Sequence, residues 1–165
     1  MRGTARDPTA RAGLEADGIE PWVGDPDRVG TLTGALDGVT VVCWLLGSAT
    51  GTPDALAALH GPRLRAFCER LVDTTVRGLV YEAVGNVATE LLDGGVEIAR
   101  EAARTWEIPL RILDADPADR REWPGAAGRR VCELLDAPAD HGTCATLAKP
   151  DKADRDSPQG GQARG

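Results

Sequence analysis

Lysine is nearly absent from this chain. Of its 19 basic residues, two are lysines, Lys149 and Lys152, both close to the end, and the rest are arginines. Tyrosine occurs once, at Tyr81, and histidine twice, at His60 and His141. No apolar run approaches the ~18 residues of a membrane-spanning helix, so no membrane span is expected. The first twelve residues are polar, carry Arg2, Arg6 and Arg11, and contain no apolar segment, so no secretory leader is expected. A basic excess is also missing. Formal net charge is -7, which argues against a nucleic-acid or anionic-membrane partner, because both need a positive face. The four cysteines, Cys43, Cys68, Cys132 and Cys144, form no C-x-x-C pair and have no histidine close by, so a zinc site is not expected. Cys43 and Cys68 fall among apolar neighbours and read as small core residues in a reducing, cytoplasmic setting. Ser48 lacks a G-x-S-x-G surround, and neither histidine has a locatable Ser or Cys partner, which disfavours a hydrolase triad.

What is present fits a soluble globular chain of about one domain. It has 165 residues, 42% apolar and 27% charged. Short apolar segments alternate with amphipathic ones. Strands are expected at residues 2–6, 19–24, 39–46, 76–85 and 108–113. Helices are expected at 7–17, 25–38, 62–75, 89–106 and 116–135. Leu64, Phe67, Cys68, Leu71 and Val72 recur at i, i+3, i+4, i+7 and i+8, one face of a helix. Leu92, Val96, Ala99 and Ala103 mark another. Gly18 and Gly38 read as helix stops. Asp-Pro pairs at 7–8, 25–26 and 116–117 each follow a strand, with Asp suited to the N-cap and Pro to the first helical position. Repeated βα units imply a parallel sheet with right-handed crossovers. The expected fold is therefore α/β and Rossmann-like, three layers with a parallel sheet, over residues 1–136. Residues 137–165 are polar and rich in Pro and Gly, and are expected to be disordered.

The segment "VTVVCWLLGSATGTPD", residues 39–54, carries the functional question. It is apolar on both strand faces, as a covered central strand would be, and then stops at Gly47. A helical pattern begins at Thr52-Pro53-Asp54. Open α/β sheets bind ligands where strands end in this way.

The stretches "RGTARDP", "GIEPWVGDPDRVGTLTGALDGVTVVCWLLGSATG" and "RGLVYEAVG" resemble the NAD(P)-binding nucleotide-sugar epimerase-like proteins. These belong to the extended and atypical short-chain dehydrogenase/reductases. The likeness spans roughly residues 2–135. It implies NAD(P) as cofactor and a small-molecule or nucleotide-sugar substrate. In that family a Gly-rich turn follows the first strand and holds the pyrophosphate at a helix N-terminus. Met1 falls where the family's second strand begins. The resemblance thus implies either a protein without its first βα unit or a natural start upstream of Met1. NAD(P) binding by this chain is expected to be weak or absent. In a second register, Gly47-Ser48-Ala49-Thr50-Gly51 would itself be the phosphate turn. "ALDGV" before the strand fits the family's fourth strand better.

By the resemblance, Arg6 corresponds to a position that takes the ribose 2′-phosphate, and Asp25 to one near the adenine. Gly47, Ser48 and Ala49 are where the backbone would approach the cofactor. Each has an ordinary structural reading as well: a surface arginine, an N-cap before Pro26, a tight strand-to-helix turn. Complete relatives use a Tyr with a Lys four residues on. Tyr81 is followed by Glu82-Ala83-Val84-Gly85, so it reads as a sheet residue. Two functions are open on these residues. One is an NAD(P)-binding oxidoreductase or epimerase relative, catalytically incomplete as given. The other is a non-catalytic interaction or sensing module. With the family's central strand unaccounted for, residues 2–6 should either close onto 39–46 as a five-stranded parallel sheet, or segment 1–24 should detach and leave 39–46 as an apolar edge; marginal stability and self-association are expected.

Overall fold

The computed structural model describes residues 1–136; the expected disordered tail, with His141, Cys144, Lys149 and Lys152, lies outside them. Among the described residues five strands form: β1 (Arg2–Ala5), β2 (Glu20–Val23), β3 (Val41–Trp44), β4 (Gly78–Glu82) and β5 (Leu110–Leu113). Five α-helices join them: α1 (Arg11–Ala16), α2 (Pro53–His60), α3 (Pro62–Leu71), α4 (Thr89–Trp106) and α5 (Trp123–Leu135). Every strand pair is parallel. The fold is α/β and Rossmann-like.

The strands divide into two sheets, β1-β2 and β3-β4-β5. In the larger sheet Val41 stands opposite Gly78, and Leu79 opposite Leu110. β4 is the middle strand, and all five of its residues are buried. Helices cover both faces. Leu79, Tyr81 and Trp44 share one core with Phe67 and Leu71 of α3 and with Val96 and Ala99 of α4. Val80 and Leu113 share a second with Leu134 of α5. The helical periods account for this: Leu64, Phe67, Cys68 and Leu71 are all buried, as are Leu92, Val96 and Ala99. Gly18 and Gly38 stop their segments with φ of +72° and +68°, where a side chain is strained.

The strand expected at 39–46 as a covered central strand is instead an edge of the larger sheet, so the expected closure of residues 2–6 onto it is not realised and the expected edge is, although β1 keeps its place. β1 does not close onto β3, and it does not detach. Arg2 extends its guanidinium to the carbonyls of Ala35 at 2.8 Å and Asp37 at 3.0 Å. Trp22 of β2 lies against Gly34, where a Cβ would come within 2.8 Å of its ring, and donates from Nε1 to Thr31 O at 3.0 Å. Leu32 and Leu36 of the same segment sit in the core with Trp44. Residues 26–36 thus touch the β1–β2 pair on one side and share the core of the larger sheet on the other, with no pairing of β1 to β3.

Three helices differ from expectation. The one expected over 7–17 opens as a 3₁₀ turn at Pro8–Ala10 and is α-helical only over Arg11–Ala16. Pro26–Leu36 is 3₁₀ and kinked at Arg28, not α. Gly30, Gly34 and two threonines give it poor α propensity. Asp116-Pro117 does not open a helix. Asp116 Oδ1 accepts from Ala118 N and Asp119 Oδ1 from Arg121 N, making consecutive side-chain turns that delay α5 to Trp123. Val72, placed on the apolar face by its period, lies beyond the last turn of α3 and is exposed.

Candidate functional site

Parallel pairing places the C-terminal ends of the strands on one edge of each sheet. Arg6 follows β1 and Asp25 follows β2, so the pairing of Ala5 with Val23 brings them together. Arg6 Nε lies 3.0 Å from Asp25 Oδ1, and its NH2 lies 3.5 Å from Asp27 Oδ2. Arg63 NH1 reaches Asp27 Oδ1 at 2.8 Å and the Ala55 carbonyl at 3.2 Å. This chain of charges links the ends of β1 and β2 to α2 and α3. Asp25 also caps the 3₁₀ segment, its Oδ1 accepting from Asp27 N at 3.0 Å. Arg6 remains well exposed, with 60% of its side chain open to solvent. Arg6, Arg63, Asp25 and Asp27 form a cluster of two cations and two carboxylates, balanced in formal charge.

The end of β3 is held differently. Gly47 is buried, Ser48 is exposed and Ala49 is half-buried. Gly47 N donates to Glu82 Oε2 at 2.8 Å, Ala49 N to Leu46 O at 3.1 Å, and Val87 N to Gly47 O at 3.0 Å. A Cβ on Gly47 would overlap the Val84 carbonyl, and one on Gly85 would overlap Gly47 O. Glycine at 47 is therefore required by the backbone of the β4–α4 loop. The amides of Gly47 and Ala49 are engaged within the protein, which leaves the Gly47–Gly51 segment poorly suited to wrap a phosphate by itself.

The residues beneath this turn were not legible in the sequence. Glu82 closes β4 at 2% exposure and bonds Gly47 N through Oε2 and Trp123 Nε1 through Oε1, the latter at 2.9 Å. A charged residue ending the apolar run "GLVYE" was the available signal. His60 is not isolated, as its sequence position suggested. It is 2% exposed, with Nδ1 2.8 Å from the Tyr81 hydroxyl and Nε2 3.2 Å from Leu46 O. Tyr81 is a fully buried sheet residue. Burial lowers the pKa of His60, opposed by the hydrogen bond to Leu46. Burial raises that of Tyr81, aided by the charges of Glu82 and Asp93.

Beyond β5 a cavity of about 270 Å³ is lined by Asp114, Glu122, Arg129 and Arg130. A smaller one of about 120 Å³ lies between α3 and α4, away from the strand ends. Among the described residues no cluster of three or more His, Cys, Asp or Glu could hold a metal ion, and no helix is long and apolar enough to cross a membrane.

No protein-family model matches the chain, and no curated protein does. Among solved structures it is similar to the triphenylmethane reductase of Citrobacter sp. complexed with NADP(H). The TM-score is 0.52 and the identity 19%, over 67% of this chain and 38% of that one. A second structure of this reductase, described in connection with bioremediation of triphenylmethane dyes, gives 0.50 and 19%, over 67% and 37%. The likeness is one of fold: a Rossmann-like α/β arrangement. The chain spans under two fifths of the length of these structures.

Proposed function

We propose that this chain is the nucleotide-binding part of an NAD(P)-dependent reductase, with the adenosine end of the cofactor lying across the ends of β1, β2 and β3. The observation that carries the reading is the pairing of Arg6 with Asp25 and Asp27 at the ends of two parallel strands. An exposed guanidinium there, free to turn from its carboxylates to a ligand, suits a ribose 2′-phosphate. The NADP(H) in the structurally similar reductase supports the choice of cofactor, and favours a reductase over a nucleotide-sugar epimerase. The residues present fit one half of the cofactor. Arg6 and Asp25 would hold the 2′-phosphate and the adenine side, with Ser48 and Ala49 beside the backbone. Nothing in the Gly47–Ala49 turn supplies a set of free amides for the pyrophosphate, so binding by this chain alone is weak. When bound, the nicotinamide would supply hydride chemistry.

A second reading, a non-catalytic sensing or interaction module, is favoured by one observation. Tyr81 is sealed in the core against His60, out of reach of any substrate.

Amide NMR separates the two. Millimolar NADP⁺ should shift the amides of Arg6, Asp25 and Ala49, and NAD⁺ should shift them less. Arg6→Ala should abolish that difference. At a ligand concentration equal to Kd the added stability is about 0.4 kcal/mol, so melting alone is a blunt probe. No shift with either nucleotide refutes cofactor binding and leaves the second reading.

A further inference from the structure

The Leu46 carbonyl precedes the turn and accepts two hydrogen bonds, from Ala49 N at 3.1 Å and from His60 Nε2 at 3.2 Å. A carbonyl has no proton to give, so His60 carries hydrogen on Nε2. Its other ring nitrogen faces the Tyr81 hydroxyl at 2.8 Å, and that hydroxyl stands 3.3 Å from the Leu92 carbonyl in α4. The two rings meet edge to face, centroids 6.0 Å apart. Gly95 of α4 makes room, because a Cβ there would overlap the hydroxyl. Four elements, the end of β3, α2, β4 and α4, are thus joined by one imidazole and one phenol.

We propose that His60 is a positioning residue for the Gly47–Ala49 turn, and that its protonation is absorbed by a flip of the Tyr81 hydroxyl. With neutral imidazole, Nδ1 accepts the Tyr81 proton. With imidazolium, Nδ1–H donates to the Tyr81 oxygen, and the hydroxyl hydrogen turns to Leu92 O. The incoming proton comes from hydronium in solvent, whose O–H bond breaks as the Nδ1–H bond forms; no other covalent bond changes, and every donor has an acceptor in both states. What changes is the charge behind Leu46 O, which strengthens the His60 bond and draws that carbonyl away from Ala49 N. The inference rests on the reading of this turn as part of the cofactor crevice.

The charged groups on the surrounding elements are otherwise occupied or act elsewhere. Asp54 lies at the opposite end of α2. Arg63 of α3 bonds Ala55 O and Asp27. Glu82 of β4 bonds Gly47 and Trp123. On α4, Glu90 is in the first turn and Asp93 acts with Glu82 on Tyr81. Burial therefore decides the direction for His60, and the proton arrives below the usual 6.5.

Nitrogen NMR of the whole chain between pH 8 and pH 5 tests this. The imidazole should show the Nε2–H tautomer at pH 8 and titrate with a midpoint below 6.5. The Ala49 amide and the Leu46 carbonyl carbon should shift with the same midpoint. Ala49 is the reporter because the Gly47 amide is bonded to Glu82. Tyr81→Phe removes the acceptor that the imidazolium needs and should lower the His60 midpoint further. His60→Asn should flatten the Ala49 titration. An Nδ1–H tautomer, an Ala49 amide that ignores the His60 titration, or a Tyr81→Phe midpoint unchanged or raised would each overturn the proposal. Should either variant fail to fold, the wild-type tautomer and shared midpoint decide it. Repeating the titration with NADP⁺ keeps the two readings apart. Absent binding with the titration intact defeats the cofactor reading alone, and binding without the shared midpoint defeats this one alone.

Discussion

Replacing Glu82 with Gln turns one buried oxygen into an amide nitrogen and leaves the shape of the side chain intact. Both oxygens of Glu82 are in use, Oε2 by Gly47 N at 2.8 Å and Oε1 by Trp123 Nε1 at 2.9 Å. Gln has one acceptor oxygen, so one of these N–H groups comes to face an NH₂ group. A hydrogen bond to a charged partner contributes about 1.5–3 kcal/mol. The surviving bond loses its charge and roughly half its strength, about another 1 kcal/mol. Against this, a neutral amide is easier to bury than a carboxylate, which returns part of the loss. The net expectation is about 2 kcal/mol of destabilisation, a large share of the ~5–15 kcal/mol typical of a domain. At 2% exposure, solvent screening does not dilute the effect. Urea denaturation measures it as a lower midpoint with an unchanged slope. Trp123→Phe, which removes only the Oε1 partner, should cost less, and the double variant should cost less than the two losses added together. A Glu82→Gln midpoint within about 0.5 kcal/mol of wild type would refute the idea that Glu82 clamps the β3 turn to α5.

Gly85→Ala should destabilise by about 1–3 kcal/mol, because its Cβ would meet the Gly47 carbonyl and backbone atoms cannot step aside. Gly94→Ala, in α4 with nothing within 4 Å of the new methyl, should instead stabilise by roughly 0.5–1 kcal/mol; equal signs in the two urea midpoints would contradict this. His60 has a lowered folded pKa, so its contribution is complete above pH 6.5 and is lost as pH falls through the folded value. Stability measured from pH 8 to pH 5 should therefore decline below 6.5 in the wild type, more than in His60→Asn. Cys68 is buried as expected, with its thiol pKa pushed up to about 12 by desolvation; Cys43, also expected in the core, is instead exposed on the edge strand, as is Cys132 on α5, although partial burial raises the pKa of the Cys43 thiol too. A thiol reagent should modify Cys43 and Cys132 in the native protein and Cys68 only on unfolding. Cys68 modified as fast as Cys43 would contradict the packing of α3.

Periodicity made most of the fold legible. α3 and α4 declare themselves because their buried faces repeat every three to four residues, and β4 because it is apolar on both sides. Junction chemistry was legible only in part. All three Asp-Pro pairs do use the aspartate side chain to accept a backbone N–H two residues on. Such a turn is compatible with a 3₁₀ segment or a bare loop as well as with an α-helix. The residues after the cap decide between them: Gly30 and Gly34 weaken the helix after Asp25, and a second aspartate turn at Asp119 displaces the one after Asp116. Pairing between sheets depends on where a bridging segment sits, and no local pattern records that Leu32 and Leu36 would pack under Trp44 while Gly34 receives Trp22.

The site divides along the same line. Arg6 and Asp25 were singled out by the resemblance, and their meeting follows from their places after two strands, because parallel pairing in register brings strand ends together whatever the distance in sequence. His60 and Glu82 were not, because their partners are set by the third dimension. His60 ends α2, and only the packing of α2 over the ends of β3 and β4 brings it to Leu46 and Tyr81. Glu82 meets Trp123, 41 residues away, only because α5 crosses to the opposite face of the sheet. Gly47 shows why a glycine by itself is a poor guide to a ligand. The space its missing side chain leaves is taken up by the Val84 carbonyl and the Glu82 side chain. A small residue at a strand end reports close approach of something; whether that is a cofactor or the protein's own backbone depends on which amides remain free. At this turn those of Gly47 and Ala49 are already engaged. The outward-facing Arg6 is therefore the stronger lead to a ligand, and the buried pair beneath the turn the stronger lead to what shapes it.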